Sequence, residues 1–551
     1  MKNYLLLFLL FSFTQCKKEN TFVPTIAGSF YINEIKANEI FPVSGNFYHT
    51  SLTPSISILF SAPIDQATAT ANITLTKQGG SIVPISLSYA NDSQLIVQPL
   101  ASLSPISKYS ISILTALKAQ NSDTLQVAGN YKIVTQIDST DKFPQLGDSV
   151  LLDLVQRQTF KYFWDFGHPV SGMARERNSS GDLVTTGGTG FGIMAIPVAI
   201  KRNFISRADG LTRVNKIVDF YLDNCTSYHG AYAHWINGVT GATIPFSPND
   251  NGADIVETSF LMEGMITVRQ YFSSTTDALE INLRTKINSM LNAVEWNWFR
   301  KNNENVLYWH WSPDMGFVIN QQISGWNEAL ITYVMAASSA TNPIPPIVYQ
   351  NGWAHNGGIV NGNLYYNYSL PLGPSKGGPM FFEHYSFLGI NPNGLVDVYA
   401  NYQEQTINHT KINYEYCKIN PRGWNGYSEV CWGLTASDIP GGYNANNPEN
   451  DPGVISPTAA ISSMPYTPTE SMAALKFFYY KLGDKLWGDY GFYDAFKLSD
   501  PWFANSTLAI DQGPIIVMIE NYRSGMLWNL FTSAPEIKTG MRALGFTAPY
   551  L

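Results

Sequence analysis

Cysteine is scarce here: four residues in a chain of 551, too few for a disulfide scaffold. Cys417 and Cys431 are the one pair suited to a bridge in an oxidising compartment, and Cys225, in "IVDFYLDNCTSY", reads as a small buried hydrophobe. No cysteine has metal-ligand spacing, HExxH is absent and the eight histidines are scattered, so neither metal nor other cofactor is expected. Charge is sparse as well. Only 14% of residues are Asp, Glu, Lys or Arg, and the net charge is -8. Without a basic run there is nothing to meet phosphates, which excludes a nucleic-acid partner. What is abundant is apolar: 45% hydrophobic residues exclude general disorder, and the length suits two or three domains. Tryptophan is missing from residues 1–150, and all 13 lie at Trp164 or later. That shift marks a domain boundary.

The start, "MKNYLLLFLLFSFTQCKKEN", has one lysine, an apolar run from Tyr4 to Phe13, then Cys16. The run is too short for a permanent span and fits the h-region of a signal peptide. A cysteine straight after it resembles a bacterial lipoprotein processing site. Residues 1–16 are therefore expected to be a lipoprotein signal peptide. Lipid on Cys16 would anchor the protein to a membrane in the cell envelope, on the periplasmic or the outer side.

Residues 25–137 alternate with period two in "SISILFS", "NITLTKQ", "SQLIVQPL", "KYSISIL" and "NYKIVTQI", with Gly, Pro, Asn and Asp turns between them. This segment looks like a bacterial Ig-like domain, an all-β sandwich, and carries no cluster of chemically active residues. A polar linker, 138–147, follows. From 148 to 551 the apolar spacing becomes helical, in about a dozen stretches such as "LLDLVQRQTFKYFWDF", "ADIVETSFLMEGMITVRQYF", "ALEINLRTKINSMLNAVEWNWF" and "PIIVMIENYRSGMLWNLF". Paired helices joined by long Gly-, Asn- and Trp-rich loops suit an all-α (α/α)6 barrel, and no fixed repeat period speaks for a solenoid. Trp296, Trp298, Trp487 and Trp528 are expected in its core.

In residues 247–265, "SPNDNGADIVETSFLMEGM", Asp250, Asp254 and Glu257 stand at the start of an otherwise apolar helix, spaced four and three residues apart. If the helix starts near Gly252, Asp250 lies near its N-cap and the other two project on one side. Capping and dipole compensation explain first-turn acids in general. They explain Asp250 well, Asp254 less and Glu257, in the second turn, least. Catalysis is the competing reading. Calcium is not: aligning Gly252 with an EF-hand glycine puts Thr258 where the bidentate glutamate belongs. Two other patterns carry no chemistry. "GPSKG" (373–377) lacks the strand and helix of a nucleophile elbow. "GGTGFGIMA" (187–195) lacks a βαβ unit and reads as a loop or helix start. Aromatic residues beside polar ones suit sugar rings: Tyr308, Trp309, His310, Trp311 and Asp314; Trp326 with Glu328; Glu383, His384 and Tyr385; Trp424, Glu429, Trp432 and Asp438. Glycoside hydrolysis needs two carboxyl groups, one protonated and one ionised, and crowded acids raise one another's pKa.

With these residues the sequence resembles the bacterial glucoamylase-like domain, and within it glycoside hydrolase family 144, whose members act on β-1,2-glucans. The resemblance rests on "TGGTGFGIMA" (186–195), "NDNGADIVETSFLMEGM" (249–265), "YWHWSPDMGF" (308–317), "GWNEALITY" (325–333), "FFEHYSFLGI" (381–390) and "YSEVCWGLTASD" (427–438). It implies an (α/α)6 barrel and an inverting, metal-independent hydrolase. It also implies an essential acidic cluster matching Asp250, Asp254 and Glu257, and a further glutamate matching Glu328. On this reading the general acid is Glu257 or Glu328 and the water-side base lies in the Asp250/Asp254 pair. Arg175, His310, Trp311, Trp326, Glu383, His384 and Tyr385 are expected to hold sugar. An endo-acting β-1,2-glucanase comes first. An exo-acting enzyme releasing sophorose is next, with 340–363 as a loop able to block one end of the cleft. A non-catalytic glycan-binding lipoprotein and a polysaccharide lyase are the other classes; a lyase would need basic cleft residues, which these loops lack.

Overall fold

A computed structural model describes residues 29–551, so the signal peptide and Cys16 lie outside the described residues. The chain divides into two compact units, one ending at Thr135 and the other starting at Gln136. In the first, strands β1 (Ile32–Ala37), β3 (Ile56–Phe60), β7 (Gln94–Pro99) and β6 (Ile85–Asn91) form one sheet in the order β1-β3-β7-β6. A second sheet runs β2-β9-β8-β4-β5, from β2 (Asn46–Thr50), β9 (Gly129–Thr135), β8 (Lys108–Ile113), β4 (Ile73–Lys77) and β5 (Ile82–Val83). Ile56, Ile58 and Phe60 alternate with less buried neighbours and meet Leu75, Ile111 and Ile133 of the other sheet in one core. One short helix, α1 (Gln66–Asn72), is capped by Asp65.

The second unit is built from helices of two kinds. Residues α3 (Thr186–Lys201), α5 (Ile255–Tyr271), α7 (Leu330–Ser338), α10 (Pro457–Ile461) and α12 (Ala509–Ser524) are buried on nearly every side, as helices apolar all round must be. Helices α2 (Asp148–Trp164), α4 (Arg207–Asn224), α6 (Ala278–Ala293), α9 (Tyr402–Ile419) and α11 (Pro468–Leu486) bury one face. The rest are short: α8 (Pro346–Val348), α13 (Met526–Ser533) and α14 (Pro535–Ala543). The buried helices pack α12 on α3, α3 on α5, α5 on α7 and α10 on α12. Between α7 and α10 stands the turn-rich stretch 380–390. Its Ser386 Oγ accepts from Ile331 N, and its His384 Nε2 bonds Ser463 just beyond α10.

Helix α3 meets α5 through glycine. A Cβ on Gly190 would stand 2.2 Å from the Phe260 carbonyl oxygen, and one on Gly264 2.3 Å from that of Gly190. Gly264→Ala would gain about 1 kcal/mol of helix propensity. The collision outweighs this, because a main-chain oxygen has no rotamer to move aside. A net loss of about 2 kcal/mol is expected, read as a lower denaturant midpoint.

Several expectations need correction. Cys417 and Cys431 are buried free thiols, not a bridge; burial pushes both pKa values up and suppresses the thiolate that exchange requires. Cys225 is only partly buried. The run predicted as one helix over 278–299 ends at Ala293, and Trp296–Arg300 forms a separate 3-10 turn. The last long run is cut at Gly525, whose φ of 65° caps α12 and starts α13. Residues 138–147 lie along α11: Lys142 N donates to Tyr480 O, Leu146 N to Tyr480 Oη, and Phe143 stacks on Tyr479.

Candidate active site

Helix α5 starts at Ile255, later than Gly252, and Asp254 is its N-cap. Asp254 Oδ1 accepts from Val256 N at 3.0 Å and Glu257 N at 2.9 Å. Asp250 is not a cap of this helix; it closes a turn in which its N–H donates to Ser247 O. Glu257 occupies the third position of α5, in the first turn rather than the second, where a capping glutamate would fold back on its own helix. Instead its Oε2 accepts from Gly187 N, at the start of α3, at 2.7 Å, and from Thr185 Oγ at 3.2 Å. Capping thus accounts for one oxygen of Asp254 and leaves Asp250 and Glu257 unexplained.

Two histidines complete the cluster. Strand β13 (Ala253–Asp254) pairs with β14 (His310–Trp311), setting His310 opposite Asp254. His310 Nε2 lies 3.5 Å from Asp250 Oδ2 and 3.7 Å from Asp254 Oδ2. His234 Nδ1 is 3.2 Å from Asp254 Oδ2 and its Nε2 is 4.0 Å from Glu257 Oε1. All three acids are at most 6% exposed.

The charges sort themselves accordingly. Burial opposes a charge on His234, but the Glu257 charge and the Asp254 hydrogen bond outweigh it and raise its pKa to about 9. Burial also opposes the Asp254 charge, yet His234 and His310 hold that carboxyl below its ordinary value. Asp250 is pushed up by burial and by Asp254, and Glu257 by burial and by Asp254 against the pull of His234. Glu328, just before α7, is pushed up to about 7, mostly by burial and further by the charges of Asp254 and Glu257. Below about pH 7 the site therefore holds a protonated glutamate together with an ionised aspartate. Ligand atoms of His234, Asp250 and Asp254 lie within 4.8 Å of one another, close enough to share a cation. A His234 that keeps its proton to about pH 9 opposes such binding.

A second group of acids was not foreseen. Asp511 stands at the third position of α12, and it and Asp494 are each 2% exposed. Burial pushes both carboxyls up, helped at Asp494 by the Asp438 charge and at Asp511 by the Asp494 charge, and Asp494 Oδ1 and Asp511 Oδ2 have no hydrogen-bond partner among the described residues. Asp438 N donates to Asp494 Oδ2 at 2.6 Å, and Arg177 Nη1 reaches Asp438 Oδ1 at 3.3 Å. Tyr385 connects the two groups: its hydroxyl pKa is pushed well up, by burial and then by Asp511, Tyr443, Glu328 and Glu257. Tyr443 is 48% exposed beside the second group. Only Asp438 was singled out in the sequence. Asp511 carries the same signal as Glu257, an acid in the first turn of an all-apolar helix, and that signal was available in "LAIDQGPIIVMI".

The remaining predicted sugar contacts divide. His310 and Tyr385 stand in the site, and Trp311, next to His310, is partly exposed. The others are turned inward. Glu383 is fully buried, its Oε1 bound by Gln405 Nε2 and His409 Nδ1. His384 is 1% exposed against Ser463. Trp326 packs among Trp353, Phe387 and Tyr402. Arg175 donates to the Gly181 and Phe166 carbonyls and stacks on the Phe166 ring. Protein surrounds these side chains, although Glu383 Oε2 and Trp326 Nε1 have no hydrogen-bond partner among the described residues. Trp298 errs the other way: expected in the core, it is 45% exposed.

Both units of the chain have counterparts among known proteins. A bacterial Ig-like domain model matches residues 33–135, and the Glycoamylase (glucoamylase) model matches residues 320–535. An exo β-1,2-glucooligosaccharide sophorohydrolase (non-reducing end) of Parabacteroides distasonis is 44% identical over 432 residues, which cover 74% of this chain and 60% of that protein. The structure of an endo-β-1,2-glucanase from Chitinophaga pinensis, in complex with sophorotriose and glucose, is 48% identical with a TM-score of 0.72, covering 74% of this chain and 100% of that one. A β-1,2-glucanase structure from Parabacteroides distasonis is 36% identical with a TM-score of 0.71, covering 94% of this chain and 73% of that one. Identity at this level over a relative's whole length leaves one assignment: the chain belongs to the glucoamylase-like family of these β-1,2-glucan-degrading enzymes, with a bacterial Ig-like domain ahead of the family domain.

Proposed function

We propose that the protein is an endo-acting glycoside hydrolase that cleaves β-1,2-glucan with inversion, without a metal. The observation that carries this reading is the unequal protonation of neighbouring acids: Glu328 with a pKa of about 7, Asp254 held ionised by two histidines. Glu328 gives its proton to the leaving glycosidic oxygen. The Asp250/Asp254 pair draws a proton from the water that attacks the anomeric carbon from the opposite face. Glu257, tied to Gly187 N and Thr185 Oγ, fixes α5 against α3 and keeps His234 charged.

The scaffold supports this chemistry. Packing runs from α3 through α5, α7, the 380–390 stretch, α10 and α12 back to α3, with helices buried on one face outside. We read this as an (α/α)6 barrel. Residues Asp254, Glu257 and Asp511 begin its inner helices, and Glu328 stands two residues before α7. The protein is further proposed to be lipid-anchored through Cys16 in the cell envelope.

The 44% identity to a sophorohydrolase favours exo release of sophorose as the second reading. Incubating the protein with linear β-1,2-glucan and following reducing ends separates the two. A ladder of oligosaccharides is expected, and a single disaccharide would replace endo with exo action. Proton NMR of the first products should show the α-anomer. Binding without new reducing ends would leave a glycan-binding protein, and ultraviolet-absorbing unsaturated ends would mean a lyase.

A further inference from the structure

Next to the catalytic acids lies an exposed aromatic face that the reaction does not use. Trp296–Arg300 is a 3-10 turn, with three residues per turn, so Trp296 and Phe299 go into the core together and Trp298 is thrown outward. One side of the Trp298 ring is covered by the His229 imidazole, stacked with centroids 3.9 Å apart and planes 16° apart. Glu295 Oε2 holds that histidine at Nδ1, 3.0 Å away. Trp298 nevertheless stays 45% exposed, beside Met315 at 43% and Val318 at 46%. With Phe317, Lys301 and Asn302 these residues line an open groove of about 380 Å³.

One residue, Trp311, stands between the groove and the acidic cluster. Trp311 packs edge-on against both His229 and Trp298, and its neighbour in β14 is His310, which faces Asp250 and Asp254. The Ser312–Gly316 turn carrying Met315 is tied to the turn carrying Asp250 by Asn251 Nδ2, which donates to Asp314 Oδ2 at 2.6 Å. A rigid aromatic plane, backed on one side and open on the other, is a platform for the apolar face of a pyranose, and Asn302 is an exposed polar neighbour for its hydroxyls.

We propose that this groove, with Trp298 as its platform, is a distal subsite that holds a β-1,2-glucan chain several glucosyl units from the bond being cut and so sets the preference for long chains. The inference rests on the glucanase reading above. A neutral glucan needs no charge complement, and the groove is mostly tryptophan, phenylalanine, methionine and valine, with Lys301 turned to Tyr308 and Asn320. Binding energy gained this far from the scissile bond lowers KM for chains long enough to reach it and leaves the chemical step alone.

The test compares the parent protein, Trp298→Ala and Trp298→Phe on linear β-1,2-glucan and on a size series of its oligosaccharides. For Trp298→Ala, KM on the long glucan is expected to rise about ten-fold, the effect of roughly 50 Å² of apolar sugar face left in water. Its kcat, and its KM on the shortest cleaved oligosaccharide, should match the parent, and Trp298→Phe should recover most of the loss. A parent that cleaves long glucan while Trp298→Ala shows an unchanged KM overturns the proposal and spares the glucanase reading. An equal rise in KM at every chain length also overturns it, since that marks a disturbed fold. A parent that neither cleaves nor binds the glucan, measured by calorimetry, overturns both.

Discussion

Asp254→Asn is expected to lower kcat on β-1,2-glucan by about 10³-fold while leaving the protein folded. The two halves of this statement come from the two oxygens of one side chain. Oδ1 caps α5 by accepting from Val256 N and Glu257 N, and asparagine caps as well as aspartate. Oδ2 lies 3.2 Å from His234 Nδ1 and 3.7 Å from His310 Nε2, and there a neutral amide can neither carry the charge nor accept a proton. Loss of the charge at the helix N-terminus costs about 0.5 kcal/mol, too little to unfold the domain. The check is the rate of new reducing ends beside the denaturant midpoint. Activity within ten-fold of the parent, in a folded variant, would remove Asp254 from the mechanism.

Glu328→Gln is expected to lower kcat by about 10²–10³-fold and to change the shape of the pH profile. A carboxyl with its pKa at about 7 is protonated below that pH and can serve as an acid there. Activity of the parent should therefore fall as pH rises through about 7, and the residual activity of the variant should lack that alkaline limb. The sign for stability is the same. A folded state that holds the proton up to about 7, where the unfolded chain releases it near 4.5, loses stability across that interval as pH rises. Glu328→Gln, neutral at all pH, should be less sensitive to pH over the same range. An alkaline limb that survives in the variant would assign it to another group, His234 or the Asp494/Asp511 pair.

Much of this was legible in the sequence because one-dimensional signals suffice for it. Period-two alternation in "SISILF" and "SQLIV" marks strands whose alternate residues enter the sandwich core. The all-apolar character of "IVETSFLMEGMIT" marks a helix with no solvent face, which makes its acids conspicuous. Other features depend on partners far along the chain. That Glu257 binds Gly187 across 70 residues, and that Asp494 and Asp511 are buried close enough to raise the Asp511 pKa, follows only from packing. Trp298 was misjudged because a continuous helix was assumed through 299; the break at Val294 and the tighter turn reverse its direction. The burial of Glu383 and Trp326 was not legible because polar and aromatic neighbours in sequence look alike whether they face a cleft or a core. Burial, with His409 and Gln405 around Glu383, separates the two.

The glycine contact between α3 and α5 has a mechanical consequence. Thr185 and Gly187, which hold Glu257, lie at one end of α3, and Asp254 and Glu257 lie at the same end of α5. With Gly190 and Gly264 admitting no atom between the two backbones, these helices open only together, as one cooperative unit. A glucan chain arriving in the cleft finds that wall already fixed. The turns 228–231, under Trp298, and 439–442, beside Tyr443, lie outside that contact. The placing of Asp254 and Glu257 against Thr185 and Gly187 is thereby set by a backbone-to-backbone contact, apart from the turns that carry the outer aromatic side chains.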